Sequence, residues 1–168
     1  LFGSPYVAAS SSGLIVADSR SIRRMRPNGM LELIAGNLSA PVTESISSTL
    51  APDGSPAKGF PISQLRCLFC DAASGDIYFC DGGSVVRVLR ASGPRAGLLS
   101  TVAGDGRSSA SIDGAFAQAT GFSDIRDIHT APNGDLIIAE NDNYFYPRIV
   151  RVSATTGIAR IIAGNSSR

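Results

Sequence analysis

GDLIIAEN, at residues 134–141, is the third occurrence of a pattern that the chain also carries as GLIVADS (13–19) and GDIYFCDG (75–82). Each copy opens on a glycine and reaches an acidic residue after four consecutive apolar residues. The opening glycines, Gly13, Gly75 and Gly134, are 62 and 59 residues apart. Similarity at a period of this length indicates a protein built from repeated structural units.

The sequence around each copy also repeats. An arginine-containing stretch follows each copy, and then comes a stretch that ends on Ala-Gly: SIRRMRP, SVVRVLR and PRIVRVS (21–27, 84–90, 147–153), then LELIAGN, LLSTVAGDG and IARIIAGN (31–37, 98–106, 158–165). A further short stretch precedes each copy: PYVAASSSG, LRCLFCD and IRDIHTAPNG (5–13, 65–71, 125–134). Turn-forming residues separate these stretches, so each unit is predicted to contain four short strands. The continuous apolar runs favour sheets that are buried on both faces.

The order of these motifs resembles that of NHL repeats, and residues 113–128 (DGAFAQATGFSDIRDI) resemble the linker between two such repeats. The resemblance covers most of the chain outside 38–60. It implies an all-β fold, a β-propeller of four-stranded antiparallel blades around a central channel, with three blades present. Binding without catalysis is the most common role in that family, although some members are amidating lyases and some bind RNA.

The expected division of the chain follows from the repeat. Blade one is 1–37, a long inter-blade loop is 38–62, blade two is 63–106, a second inter-blade loop is 107–122, and blade three is 123–168. Known propellers close with about four to eight blades, so three leave two blade faces uncovered. We therefore expect further blades from the same chain or another chain, or a homodimer. The two long loops are either a docking surface or tolerated insertions.

Composition excludes two classes of function. No apolar run approaches the roughly 18 residues that a membrane helix needs, so no membrane span is expected. A net charge of +1 disfavours a protein that grips nucleic acid by its phosphates.

The cysteines are Cys67, Cys70 and Cys80. One C-x-x-C pair cannot form a zinc site of four thiolates within the chain. Cys70 and Cys80 flank a predicted turn at 74–76, and a disulfide between them is expected, with buried free thiols as the alternative. Asn37 and Asn165 begin two glycosylation sequons at the same repeat position, although inheritance of the Ala-Gly-Asn turn also explains them. Disulfide and sequons together favour an extracellular or secretory-pathway location.

Candidate ligand-binding residues lie at the predicted start of the first strand of blades two and three. Arg66 and Arg126 occupy equivalent positions, and Asp127 and His129 follow Arg126. Two guanidinium groups at a channel mouth could bind a carboxylate or sulfate, and a salt bridge between blades is the alternative.

Two further sets of charged residues recur. Asp18, Asp81 and Glu140 end the second strands, where they either contribute to a cation site or, more commonly, bind turn amides. Arg24, Arg87 and Arg151 are assigned to equivalent places on the third strands, as ion pairs or solvated residues.

No constellation of catalytic residues emerges, and no metal or cofactor is predicted. The chain is predicted to be a non-catalytic propeller segment that binds protein or glycan or builds an extracellular assembly. The alternative is part of a metal-dependent enzyme such as an amidating lyase. Because His129 is the only histidine, the remaining ligands of such a site would have to lie in other blades.

Overall fold

The structure, a computed structural model, describes residues 5–10, 13–39, 52–141 and 146–164. It is an all-β arrangement of three four-stranded antiparallel sheets, each formed by consecutive strands. The first sheet contains β1 (Tyr6–Ser10), β2 (Gly13–Ala17), β3 (Ser21–Met25) and β4 (Leu31–Gly36). The second contains β5 (Leu68–Cys70), β6 (Ile77–Asp81), β7 (Val85–Leu89) and β8 (Leu99–Ala103). The third contains β9 (Ile125–Thr130), β10 (Leu136–Asn141), β11 (Pro147–Val152) and β12 (Ala159–Gly164).

The sheets stack through two apolar cores, one on each side of the second sheet. Alternate side chains of β6 enter different cores: Ile77 and Phe79 pack towards the first sheet, while Tyr78 and Cys80 pack towards the third. Every residue of β6 is buried for this reason. In β10 of the third sheet, buried and partly exposed residues alternate, because one face of that sheet has no described neighbour. Burial on both faces, which the apolar runs predict for all three sheets, is therefore confirmed only for the second.

The first strands of the sheets lie next to one another. β5 contacts both β1 and β9, so each chain segment between sheets returns from an outermost fourth strand to an innermost first strand. Each fourth strand carries a β-bulge against its third strand, opposite Ile22/Arg23, Val86/Arg87 and Ile149/Val150. The repeat seen in the sequence is thus preserved in the details of strand register.

The connections between sheets include ordered segments that bond both neighbours. Ala57 accepts a hydrogen bond from Gly36 of the first sheet and donates one to Gly97, next to β8 of the second. Ala117 likewise accepts from Gly104 and donates to Gly157, and it begins a short 3-10 helix, Ala117–Ala119. Each connection therefore holds two sheets together at their outer edges.

The predicted Cys70–Cys80 disulfide is wrong: the bond joins Cys67 to Cys80, whose Cα atoms are 5.1 Å apart, and Cys70 is a buried free thiol. The hairpin between β5 and β6 explains the error. Its turn is closed by Asp71 and Asp76, so Cys70 lies opposite Ile77 and Cys80 lies opposite Cys67. Placing the turn at 74–76 shifted the expected register by three residues. Since this disulfide closes a short hairpin, it stabilises one sheet and does not link sheets.

The Ala-Gly end of each fourth strand requires glycine. Gly36, Gly104 and Gly164 have φ values of 102°, 92° and 93°, and a Cβ on each would overlap a backbone carbonyl oxygen of the third strand or of the turn before it. At Gly104 the overlapped atom is the carbonyl oxygen of Ser84.

Gly104→Ala is therefore expected to destabilise the protein much more than Gly93→Ala. Both glycines have positive φ, 92° and 82°, but a Cβ on Gly93 would meet open space. Positive φ alone costs about 1–2 kcal/mol, and displacing the backbone at Ser84 adds about 1–3 kcal/mol. Urea unfolding of the two variants measures the difference. Equal losses of stability would show that the contact with Ser84 is unimportant.

Candidate functional site

Asp81 and Glu140, near the ends of the second strands of their sheets, bind the backbone of the connections between sheets. Asp81 accepts a hydrogen bond of 2.8 Å from the backbone of Ser63, at the end of the first connection. Glu140 accepts from the backbone of Ser111 at 3.4 Å and from that of Ser123 at 3.1 Å, both within the second connection. Both carboxylates are buried, and both act on the backbone at the point where the chain enters the next sheet.

Asp18, the equivalent residue of the first sheet, binds a turn within its own sheet. It accepts hydrogen bonds from the backbone of Arg20 at 3.0 Å and from the backbone of Ser21 at 2.8 Å. The acidic residues were expected either to contribute to a cation site or to bind turn amides, and these contacts support the binding of backbone amides. Among the described residues, no group of three or more His, Cys, Asp and Glu side chains could hold a metal ion.

An arginine pairs with each of these carboxylates. Arg23 lies 3.5 Å from Asp18, Arg87 3.7 Å from Asp81, and Arg148 3.0 Å from Glu140. The prediction that Arg24, Arg87 and Arg151 occupy equivalent positions is wrong for Arg87, which lies one position away from the other two in the repeat. Strand register places Arg23 with Arg87, and Arg24 with Arg151. In the third sheet Val150 takes the place of Arg87, and Arg148, directly opposite Glu140, provides the charge.

The environments of Asp18 and Asp81 shift their pKa values in opposite directions. Burial raises the pKa of Asp18, but hydrogen bonds from Arg20 and Ser21 and the charge of Arg23 outweigh it, so the pKa lies below its usual value. At Asp81 desolvation by burial is the dominant effect, and the pKa of the carboxyl group is raised despite the Ser63 hydrogen bond and Arg87.

Two aspartates that bind the fourth strands were not singled out by the sequence analysis. Asp53 Oδ1 accepts hydrogen bonds from the backbone and the hydroxyl of Thr101, each 2.8 Å, and from Arg87 at 3.1 Å. Asp113 Oδ1 accepts from the backbone of Ile161 at 2.9 Å, and its Oδ2 accepts from Arg160 at 3.3 Å. The sequence does carry a pattern that could have identified them: two Asp-Gly pairs lie 60 residues apart, and each is followed after two residues by alanine.

The structure brings Arg66 and Arg126 together around one carboxylate. Asp124 accepts a hydrogen bond of 2.8 Å from Arg66, and its other oxygen accepts one from Arg126. Asp124 and the equivalent Gln64 have φ values of 46° and 40°, an uncommon conformation for residues with side chains. Asp124 thus fills the position that a bound anion was expected to take, and Arg66 forms a salt bridge from the second sheet to the segment that enters β9.

Asp127 and His129 lie further along β9. Asp127 Oδ2 is 3.5 Å from His129 Nε2, and the His129 ring packs edge-on against Phe69 of β5 with 4.7 Å between ring centroids. Both side chains are more than 60% exposed. We call Arg66, Asp124, Arg126, Asp127 and His129 the inner-strand cluster.

A cleft lies between the second and third sheets, at the ends of the strands where the β5–β6 and β9–β10 turns lie. Its volume is about 740 Å³, and its lining includes Arg90, Arg95, Phe116 and Thr155. Tyr78 also lines it, and burial raises the pKa of the Tyr78 hydroxyl. This cleft could not be predicted from the sequence, because its lining comes from turns that are not adjacent in sequence.

Of the two predicted glycosylation sites, Asn37 lies among the described residues and Asn165 does not. Asn37 Nδ2 donates one hydrogen bond of 3.0 Å to the carbonyl of Gly59, and its Oδ1 accepts one from the backbone of Ser39. Asn165 lies outside the described residues. Sugar attachment at both stays a prediction.

Comparison with protein-family models and with curated proteins finds no match to this chain. No helix in the described part of the chain is long and apolar enough to cross a membrane.

Asp18→Asn and Asp81→Asn are expected to change stability with opposite pH dependences. A carboxyl group whose pKa falls on folding stabilises the native state above its unfolded pKa of about 3.9, and that contribution disappears as pH falls through the folded value. The loss caused by Asp18→Asn should therefore grow between about pH 3 and about pH 6. For Asp81 the pKa rises on folding, so the loss caused by Asp81→Asn should shrink as pH rises.

Urea unfolding of both variants and the wild type across this pH range provides the measurement. Subtracting the wild-type curve removes the contributions of all other titrating groups. Two difference curves with the same slope would contradict the environments described for these carboxylates.

Proposed function

We propose that the three sheets are consecutive NHL-type β-propeller blades and that the chain serves protein or glycan binding, or extracellular assembly, without catalysis. The observation that carries this proposal is the radial order of strands. First strands adjoin one another, the strands of each sheet follow in sequence to an outermost fourth strand, and each connection returns to the next first strand. Repetition of four-stranded sheets in this order is the plan of a propeller.

Exposed apolar residues on the first and third sheets support additional sheets beyond these three. Val7 of β1 is 61% exposed and Ile162 of β12 is 53% exposed. Burial of apolar surface contributes about 25 cal/mol per Å², so covering such faces is favourable. Further blades from the same or another chain, or a homodimer, would provide this cover.

The disulfide supports an extracellular or secretory-pathway location. The Cys67–Cys80 bond pairs two of the three cysteines, and disulfides persist mainly in oxidising compartments. Cys70 is buried, and burial raises the pKa of its thiol to about 11, so it stays protonated and unreactive.

The partner surface that we favour is the inner-strand cluster together with the connections beside it. Arg66 and Arg126 are held by Asp124, whereas Asp127 and His129 project from β9 with most of their surface exposed. Exposed carboxylate and imidazole groups beside a rigid strand are suited to hydrogen bonding with a protein or with sugar hydroxyls.

A binding experiment with two matched variants tests this surface. Asp127→Ala/His129→Ala removes exposed groups of the cluster, and Arg95→Ala/Thr155→Ala removes exposed groups of the cleft. Wild type and both variants are applied to an array of glycans and secreted proteins. We expect the first variant to weaken binding by about tenfold, corresponding to about 1.4 kcal/mol, with the melting temperature unchanged.

The cleft variant is expected to bind as the wild type does. Loss of binding in the cleft variant alone would assign the partner to the cleft. If the wild-type protein binds no glycan and no secreted protein on the array, the proposed function is contradicted.

A further inference from the structure

The outermost strands of the second and third sheets each carry an Asp-Gly segment along their outer edge. In the second sheet, Leu99 donates to the carbonyl of Ser55 and accepts from Gly54, while Asp53 binds the amide of Thr101. In the third sheet, Ala159 donates to Ala115 and accepts from Gly114, while Asp113 binds the amide of Ile161. The two segments use the same bonds at the same repeat positions.

Strand register identifies the corresponding edge in the first sheet. Leu33 lies opposite Arg23, as Thr101 lies opposite Arg87 and Ile161 opposite Val150. Leu31 is then the counterpart of Leu99 and Ala159. Gly29 is the counterpart of Gly97 and Gly157, and all three glycines have φ between 69° and 80°. The first sheet thus has the backbone arrangement that receives an Asp-Gly segment in the other two.

The exposure of these residues indicates that no described part of the chain covers this edge. Leu31 is 40% exposed, whereas its counterparts Leu99 and Ala159 are 2% and 0% exposed. A shallow cavity of about 300 Å³ lies here, lined by Arg26, Asn28, Met30, Leu31 and Glu32. Within the described residues, the backbone hydrogen bonds of Leu31 and Leu33 are those with β3, and no other described segment pairs with the outer edge of β4 at these two residues.

A positively charged side chain that could bind the incoming aspartate is also present. In the second sheet Arg87 contacts both Asp81 and the segment residue Asp53. Its counterpart Arg23 contacts Asp18, the counterpart of Asp81, and its side chain is 19% exposed against 1% for Arg87. An incoming carboxylate would meet the Leu33 amide and a guanidinium group, which are the partners that Asp53 has.

An Asp-Gly occupant of this edge must come from outside these 168 residues. The sequence contains Asp-Gly at 53, 81, 105 and 113 only. The pairs at 53 and 113 are bound to their own sheets, the pair at 81 begins on the last residue of β6, and the pair at 105 begins two residues after β8.

We propose that the outer edge of β4 binds an extended polypeptide segment, from outside these 168 residues, with the pattern Asp-Gly-x-x-Ala. The segment adds as an edge strand, its aspartate binds the Leu33 amide and Arg23, and its backbone pairs with Leu31 and Gly29. This inference rests on the equivalence of the three sheets and is independent of the inner-strand cluster.

Titration of the whole ¹⁵N-labelled chain with a peptide of residues 51–59 (APDGSPAKG) tests the proposal. We expect amide shifts centred on Gly29, Leu31 and Leu33, and slower hydrogen exchange at Leu31 and Leu33. A peptide with asparagine in place of Asp53 should bind about tenfold more weakly, because a charge-assisted hydrogen bond is lost. A scrambled peptide should not bind.

Two protein variants complete the test. Leu33→Pro removes the amide that would bind the carboxylate, and proline is tolerated on an edge strand where its nitrogen faces outward. Leu31→Asp places a negative charge at the centre of the edge and changes a residue that is already exposed. Both are expected to abolish the shifts, and the asparagine peptide gives the same information should either variant fail to fold.

Three results would overturn the proposal. The first is equal binding of the aspartate and asparagine peptides. The second is a set of shifts centred on β8 or β12, which would mean that the peptide only displaces the chain's own segments. The third is concentration-dependent dimerisation that Leu31→Asp abolishes and the peptide does not, which would assign the edge to a second copy of the chain.

Discussion

The hydrogen bond between an aspartate of each connection and a backbone amide of the next fourth strand is the constraint on which the arrangement of sheets depends. Asp53 binds Thr101 and Asp113 binds Ile161, both at the β-bulge of the fourth strand. A bulge disrupts the regular ladder locally. The aspartate binds beside this irregularity, and the glycine that follows it also pairs with the strand. These contacts act together with apolar packing, with the backbone hydrogen bonds of Ala57 and Ala117, and with the contacts of the inner strands in joining the sheets.

The connections are therefore fixed at both ends. At the outer edge, Ala57 and Ala117 bond two sheets at once, and at the inner end, Asp81 and Glu140 bind the backbone of Ser63 and Ser123. Apolar burial gives stacking without direction, whereas backbone hydrogen bonds at two distant points set the position of one sheet relative to the next. This accounts for a constant arrangement across repeats whose core residues differ.

The all-β fold, the twelve strands and the three units could be predicted from the sequence, because four-residue apolar runs between turn residues recur at a fixed period. The pairing of residues across a hairpin, which depends on the length of its turn, could not be predicted. The four residues between Asp71 and Asp76 decide that Cys80 meets Cys67, and a shift of the turn changes the partner of every residue in the hairpin. The role of Asp124 was missed for another reason. A salt bridge between residues 58 positions apart leaves no mark in local sequence pattern. The segments at 53–57 and 113–117 did repeat, but one lies in a Ser- and Pro-rich stretch that resembles an insertion.

Native-state hydrogen exchange of the Asp53→Ala variant tests the central role of the aspartate contact most directly. Asp53 is about half exposed, so its replacement removes little buried surface. Our account predicts that the amides of Thr101, Leu99 and Ala57 exchange faster, while those of β10 and β11 in the third sheet, where Asp113 is intact, exchange as in the wild type. Unchanged exchange at Leu99 and Ala57, with only Thr101 affected, would show that the carboxylate caps one amide and does not hold the two sheets together.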